Sequence, residues 1–336
     1  MIQSIDQRII PSVWIRIFNE TTQHSNMIEL EHSIYLVDAH YMRSGVACVY
    51  LMRRGDEIAI IETGTAHTVP HIQQALKFMG SSWGDVRYVI PTHIHLDHAG
   101  GAGALMQLCP NARLLVHPRG APHMIDPGKL QAGTIEVYGA DKFNSLYGEL
   151  QPVQEDRVTQ VPDGFELDFN GCKLSFLHTP GHALHHFCVH DSTSKGIFTG
   201  DTFGLAYPNL SRNGQPFIFA TTTPVHFAPD DMFTSIERLL AIEPELMYLT
   251  HFGPIEPTPA LVSQLKKSIL AFKNIALGEQ QNQTNRQAAI EQAVQEWILN
   301  ELGDEPGGEA ASWLANDVAL NAQGLEVWLR RLEKQP

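Results

Sequence analysis

Three features of this 336-residue chain predict an α+β fold with a helical C-terminal extension. Short apolar runs of strand length recur from Ser33 to Ile61 and again from Arg157 to Thr199, separated by turn residues. Segments of helical spacing interrupt them. After Pro254 the strand patterns stop and only helical periodicity remains. The reading divides the chain into an unassigned N-terminal arm (residues 1–29), a strand-rich body (30–256) and a helical subdomain (257–336).

In residues 1–29 no period is sustained and Pro11 interrupts the one promising run, so an edge strand or an arm across a neighbouring subunit would both fit. S-I-Y-L-V, V-A-C-V-Y-L-M and I-A-I-I then read as consecutive strands of a meander ending at Glu62-Thr63-Gly64. Val69 to Met79 carries Ile72, Leu76 and Met79 at helical spacing and stops at Gly80. V-R-Y-V-I reads as a strand, Gly100 to Leu108 as a helix and L-L-V-H as a strand. Residues 118–156 begin with Pro and Gly and become amphipathic, the pattern of an inserted helical segment beside the site.

A second strand-rich stretch follows: R-V-T-Q-V, F-E-L-D-F, the Asn170-Gly171 hairpin turn, K-L-S-F-L, H-F-C-V-H and G-I-F-T. Residues 201–229 are irregular and hold Phe203, Tyr207, Phe217, Phe219 and Phe227. These aromatics read first as a satellite core, and alternatively as a pocket wall from which Tyr207 reaches substrate. M-F-T-S-I-E-R-L-L-A-I is helical and E-L-M-Y-L-T is a strand. Beyond it, helices are expected over 261–276 and 285–302, the latter with Thr284 and Gln287 as a capping box, and as two shorter pieces after Gly308. Their apolar faces (Leu265, Leu270, Ile290, Val294, Trp297, Ile298) must pack on something, either the rim of the site or a second copy in a homodimer.

Composition sets the outer bounds. With 43% hydrophobic and 18% charged residues the chain has the make-up of a globular protein able to bury a sizeable core. A net charge of -14 repels phosphate backbones, which argues against nucleic-acid partners. No apolar run reaches transmembrane length, and no basic segment followed by an apolar one opens the chain, so no membrane partner and a cytoplasmic location are expected. Cys48, Cys109, Cys172 and Cys188 are widely spaced in apolar contexts, the pattern of buried free thiols.

The densest chemistry lies in V-I-P-T-H-I-H-L-D-H-A-G-G, Val89 to Gly101. His93, His95, Asp97 and His98 fall within six residues at a strand-to-loop transition. Alternate residues of an extended chain share a side, so His93 and His95 can grip one ion while Asp97 and His98 face another. Four donors on so short a loop cannot all close on one tetrahedral ion without strain, which points to two metals.

Thr92-His93-Ile94-His95-Leu96-Asp97-His98 resembles the signature of the metallo-β-lactamase-fold hydrolase superfamily, whose members include glyoxalase II enzymes, lactonases, phosphodiesterases and persulfide dioxygenases. Three downstream motifs match in order: Thr179-Pro180-Gly181-His182, Gly200-Asp201-Thr202 and Thr250-His251. The resemblance implies a four-layer αβ/βα sandwich. It also implies a first metal on His93, His95 and His182, a second on Asp97, His98 and His251, and Asp201 between them, with Asp97 and Asp201 as the catalytic carboxylates. Glu62 stands where the superfamily usually carries Asp, so it departs from the pattern at a position that hydrogen-bonds behind the metal loop. His186 echoes a second histidine of glyoxalase-like motifs and either orients a ligand or lies on a strand surface. With Tyr207 and Phe203 it completes the candidate substrate contacts.

Five histidines and two carboxylates suit two divalent ions, zinc foremost, with iron or manganese as alternatives. Such ions bring the pKa of water towards about 7 and polarise a carbonyl or phosphoryl oxygen. A dinuclear hydrolase that uses metal-bound hydroxide on a lactone, thioester or phosphodiester in a small molecule is the leading expectation. Glyoxalase II itself fits less well, because the C-terminal part lacks an Arg/Lys cluster. The alternatives are a persulfide dioxygenase with one iron on His93, His182 and Asp201, and a ligand-sensing or interaction protein on the same fold.

Overall fold

A computed structural model of the chain describes residues 27–222, 224–282 and 284–334. Most of the N-terminal arm therefore lies outside the described residues. Its last three, β1 (Met27–Glu29), form an edge strand, one of the two forms expected.

Two mixed sheets make an α+β sandwich. The first, in the order β1-β2-β3-β4-β5-β6-β7, opens with the predicted meander: β2 (Ile34–Asp38), β3 (Cys48–Arg54) and β4 (Glu57–Ile61) pair antiparallel. Their residues are buried on both faces, which accounts for continuous apolar runs in place of alternation. Parallel pairing then adds β5 (Val86–Ile90), β6 (Arg113–Val116) and β7 (Val158–Gln160). The crossovers run through α1 (Val69–Phe78), α2 (Leu96–Ala99), α3 (Ala102–Leu108) and the insert, whose helices are α4 (Ala121–Ile125), α5 (Gly128–Tyr138) and α6 (Ala140–Tyr147).

The second sheet has the order β13-β12-β11-β10-β9-β8. The Asn170-Gly171 turn joins β8 (Glu166–Phe169) to β9 (Cys172–His178). β10 (Phe187–Asp191) and β11 (Gly196–Gly200) continue antiparallel. β12 (Leu246–Leu249) returns parallel to β11 after α7 (Pro229–Leu240), and β13 (Gly253–Ile255) closes the edge.

The sheets meet through aromatic edges and faces. Tyr50 of β3 packs against Phe198 and Tyr248 of the second sheet at centroid distances of 5.2 and 5.6 Å. A buried ion pair also crosses the sandwich, with Arg54 on β3 donating to Asp191 on β10 at 2.8 Å. All four cysteines are buried and unpaired.

Three helices follow: α8 (Pro259–Gly278), α9 (Arg286–Leu302) and α10 (Glu309–Glu333). Two expectations are corrected here. The cap of α9 is Asn285, which makes no side-chain capping bond, and Thr284 stands outside the helix with its N–H on Asn282. The two pieces expected after Gly308 are one 25-residue helix. Leu265, Ile290, Val294 and Ile298 bury their side chains as expected, whereas Leu270 is 48% exposed.

Candidate metal centre

The chain leaves β5 at Ile90 and turns at once into a one-turn helix, with His95 at its N-cap and Asp97 and His98 inside it. From the second sheet, His182 follows β9, Asp201 follows β11 and His251 follows β12. All seven predicted donors therefore gather where strand ends of both sheets meet.

Their atoms form two groups, His93/His95/His182/Asp201 and Asp97/His98/His251. In the first, His95 Nδ1 lies 2.9 Å from His93 Nε2 and 3.0 Å from His182 Nε2, and Asp201 Oδ2 lies 3.3 Å from His182 Nε2. In the second, His98 and His251 bring their Nε2 atoms to 3.3 Å, and Asp97 Oδ2 stands 3.7 and 3.5 Å from them. Nitrogen and oxygen donors around one tetrahedral ion with bonds of about 2.0–2.1 Å sit about 3.3 Å apart, so these separations are those of ligand shells. Asp201 belongs to both, because its Oδ1 reaches His98 at 3.2 Å and His251 at 3.5 Å. That oxygen is buried and has no hydrogen-bond partner. A buried carboxylate oxygen without a donor calls for a cation, and the donor set fits one.

The charge balance agrees. Burial, followed for His93 by the like charge of His98 and for His95 by that of His182, drives those imidazoles down, His95 to about 3, which keeps them in the neutral, ligating form. Burial also acts on His98, but the carboxylates of Asp201, Glu62 and Asp97 outweigh it and raise that group well above the usual range. Those carboxylates favour a positive charge beside them, a proton or a divalent ion. Burial opposes the charge on Asp97, yet His98 and His251 hold its carboxyl down at about 2.

Behind the donors, four of the five rings are oriented through the far nitrogen. His93 Nδ1 meets Thr92 Oγ1 at 3.1 Å, His182 Nδ1 the Thr221 carbonyl at 3.4 Å, and His251 Nδ1 the Val46 carbonyl at 2.6 Å. His98 Nδ1 meets Glu62 Oε1 at 3.0 Å. Glu62 thus fills the position behind the metal loop despite its departure from the superfamily's Asp. Its carboxylate also accepts from the Thr92 N–H and hydroxyl and from the Thr250 hydroxyl, while its backbone sits at φ +65°.

His186 is not a strand-surface residue. It is buried, meets the Thr179 hydroxyl at 2.8 Å through Nδ1, and accepts the Asp201 N–H at 3.2 Å through Nε2. Gly200 beside it has φ +48°, and a Cβ there would fall 2.4 Å from Thr92 Oγ1 and 2.5 Å from His186 Nε2. Only glycine lets these two motifs close on each other.

A cavity of about 510 Å³ opens over the centre, with His95, Asp97, Asp201 and His251 on its floor. Its walls come from the β2–β3 loop (Met42, Arg43), the insert (Leu130, Tyr147), the segment after Asp201 (Leu205, Tyr207) and α10 (Asp317, Leu320). Of the candidate substrate contacts, Tyr207 lines it, with its hydroxyl donating to Asp317 at 2.8 Å. His186 and Phe203 do not; Phe203 is wholly buried in the core, and His186 acts from behind the ligands. Residues that the sequence left unmarked are Arg43 and Asp317; His185, expected to pack near the site without ligating, lines the cavity with its imidazole pushed by burial to about 2.

The sandwich and the two groups of potential metal donors define an α+β protein with a candidate metal centre, and comparison gives the family. The chain belongs to the metallo-beta-lactamase superfamily, whose profile matches residues 45–251. It is 25% identical over 236 residues to a metallo-beta-lactamase fold-containing protein of Sulfurisphaera tokodaii, covering 69% of this chain and 82% of that one. It is 24% identical over 204 residues to a hydroxyacylglutathione hydrolase of Aeromonas salmonicida, 60% of each chain. Among solved structures, a metallo-beta-lactamase family protein from Thermus thermophilus superposes with a TM-score of 0.61 over 90% of this chain and 94% of that one at 19% identity, a likeness of fold.

Proposed function

We propose that this protein is a metal-dependent hydrolase with a dinuclear centre that cleaves an ester-like bond, a thioester or lactone foremost, in a small molecule. The observation that carries the reading is the convergence of seven donors into two shells shared by Asp201 on the floor of an open cavity. The hydroxyacylglutathione hydrolase relative supports the thioester arm. His93, His95, His182 and Asp201 would hold one ion, zinc foremost, and Asp97, His98, His251 and Asp201 the other.

Two such ions, when bound, supply an acidified water and a Lewis acid for developing oxyanion charge. The chain's own groups do the rest. Asp97, ionised at neutral pH and with its side chain 23% exposed towards the cavity, is placed to orient water on the floor by accepting a hydrogen bond from it. Asp201, fixed through its own N–H by His186, keeps both shells in register. Tyr207, held by Asp317, presents its ring and hydroxyl to the bound molecule.

A mononuclear iron dioxygenase would need only His93, His182 and Asp201, and the second complete shell favours the hydrolase. Among the described residues no helix is long and apolar enough to cross a membrane. The test is metal content per chain together with turnover of lactone, thioester and phosphodiester panels before and after chelation. About two ions per chain and chelator-sensitive hydrolysis are expected; turnover indifferent to metal removal would refute the proposal.

A further inference from the structure

We propose that Arg43 is an anion-binding residue of this pocket, so that the substrate carries a carboxylate or phosphate remote from the bond that is cleaved. The inference rests on the reading of the cavity as a substrate site.

Arg43 lies in the loop between β2 and β3 and lines the cavity. Its guanidinium carbon stands 3.8 Å from the centroid of the Trp313 ring, and a terminal nitrogen donates to the Trp313 carbonyl. Both contacts are to α10, so the side chain is held in one place before any ligand arrives. Its Nε is nevertheless buried with no hydrogen-bond partner, and among the described residues no carboxylate makes an ion pair with it. Asp317, one turn along α10, feels the charge of Arg43 but accepts the Tyr207 hydroxyl instead.

A mere staple between loop and helix would account for the stack and one nitrogen. It leaves a guanidinium with unused donors in a wall where Met42, Val46, Leu130 and Leu320 stand beside the polar groups of α10, Asn316, Asp317 and Gln323. A cation beside apolar surface is poorly solvated, and an unmade bond there costs more than one at the protein surface. The guanidinium fork matches carboxylate and phosphate oxygens two at a time. Lys129, the other lysine or arginine lining the cavity, is exposed and suits attraction at the mouth.

The test uses the zinc-loaded full chain and length-matched pairs of thioesters: butyryl with succinyl, pentanoyl with glutaryl, hexanoyl with adipoyl. A parallel pair carries phosphate or hydroxyl on the thiol side, which separates the two anion sources. The charged member of at least one pair is expected to show a kcat/KM about tenfold or more above its neutral partner, through KM. In Arg43→Met that ratio should fall to near one, and Arg43→Lys should lie between. Calorimetric binding of glutarate against pentanoate to the same proteins reads the same preference without turnover, so a protein that hydrolyses none of these thioesters defeats the functional proposal and still tests this one. Melting curves confirm that each variant is folded. A wild-type protein with no anionic preference in either assay, or an Arg43→Met variant that loses affinity for both members equally, would overturn the assignment.

Discussion

At the scale of single residues, Glu62 shows how much of the metal centre lies outside its ligands. One carboxylate ties the loop at Thr92, the ring of His98 and the segment that ends in His251. Outer partners of this kind raise metal affinity about 10–100-fold. Glu62→Ala is therefore expected to weaken zinc binding by that factor, and Glu62→Gln by less; competition with a chromophoric chelator measures both. The sequence shows that Glu62 departs from the usual Asp, but not that its extra methylene still reaches all three partners, because that distance is set by the backbone around it. The donors themselves were legible for the opposite reason, since His93 to His98 lie within six residues and each later donor follows an apolar run.

Asp317 gives a second test at this scale. Burial raises its carboxyl to about 6, against the opposing hydrogen bond from Tyr207. Between about pH 4 and 6 the folded protein then holds a proton that the unfolded chain has released, so stability falls as pH rises through this window and stays lower above it. Asp317→Asn, which keeps an acceptor for Tyr207, should flatten that slope and be the more stable by up to about 3 kcal/mol at pH 7. Urea unfolding from pH 4 to 8 checks the sign.

Among the elements, α10 carries most of what the sequence concealed. Asn316, Asp317, Asn321 and Gly324 are poor helix formers, which is why this region reads as two pieces. The helix persists because those residues are used in tertiary contacts. Asn321, wholly buried, accepts the Thr222 N–H at 2.6 Å and its hydroxyl at 2.8 Å, next to the carbonyl of Thr221 that faces His182. Asn321→Leu would leave the Thr222 N–H unsatisfied, while the Thr222 hydroxyl keeps the Asn321 backbone carbonyl at 3.0 Å, and is expected to cost about 1–3 kcal/mol in chemical denaturation. Leu320 and Asp317 lie on the cavity side of the same helix. Long-range partners of this sort leave no local pattern, so Trp313 and Arg43 could not be paired from the sequence.

For the whole molecule, the joint between the sheets is the quantity to test. Arg54 and Asp191 face each other across it, 9% and 0% exposed. Removing one charge strands the other: Arg54→Met should cost about 3–5 kcal/mol, while Arg54→Met with Asp191→Leu should recover most of it. Thermal unfolding of the three variants beside the parent distinguishes a burdened pair from a needed one. Cys172, whose thiol donates to Asp191 at 2.8 Å, and the Thr193 N–H, which reaches it at 2.9 Å, both lie on the second sheet's side of the joint and fix the aspartate where Arg54 meets it.

The metal donors straddle that same seam. Four of them belong to the first sheet and three to the second, and neither set alone closes a shell. The ions would act as a clasp between two halves that could otherwise part. Loss of either half should then spill both ions in one event, and the melting temperature should climb with the logarithm of free zinc, as it does when a ligand binds only the assembled state.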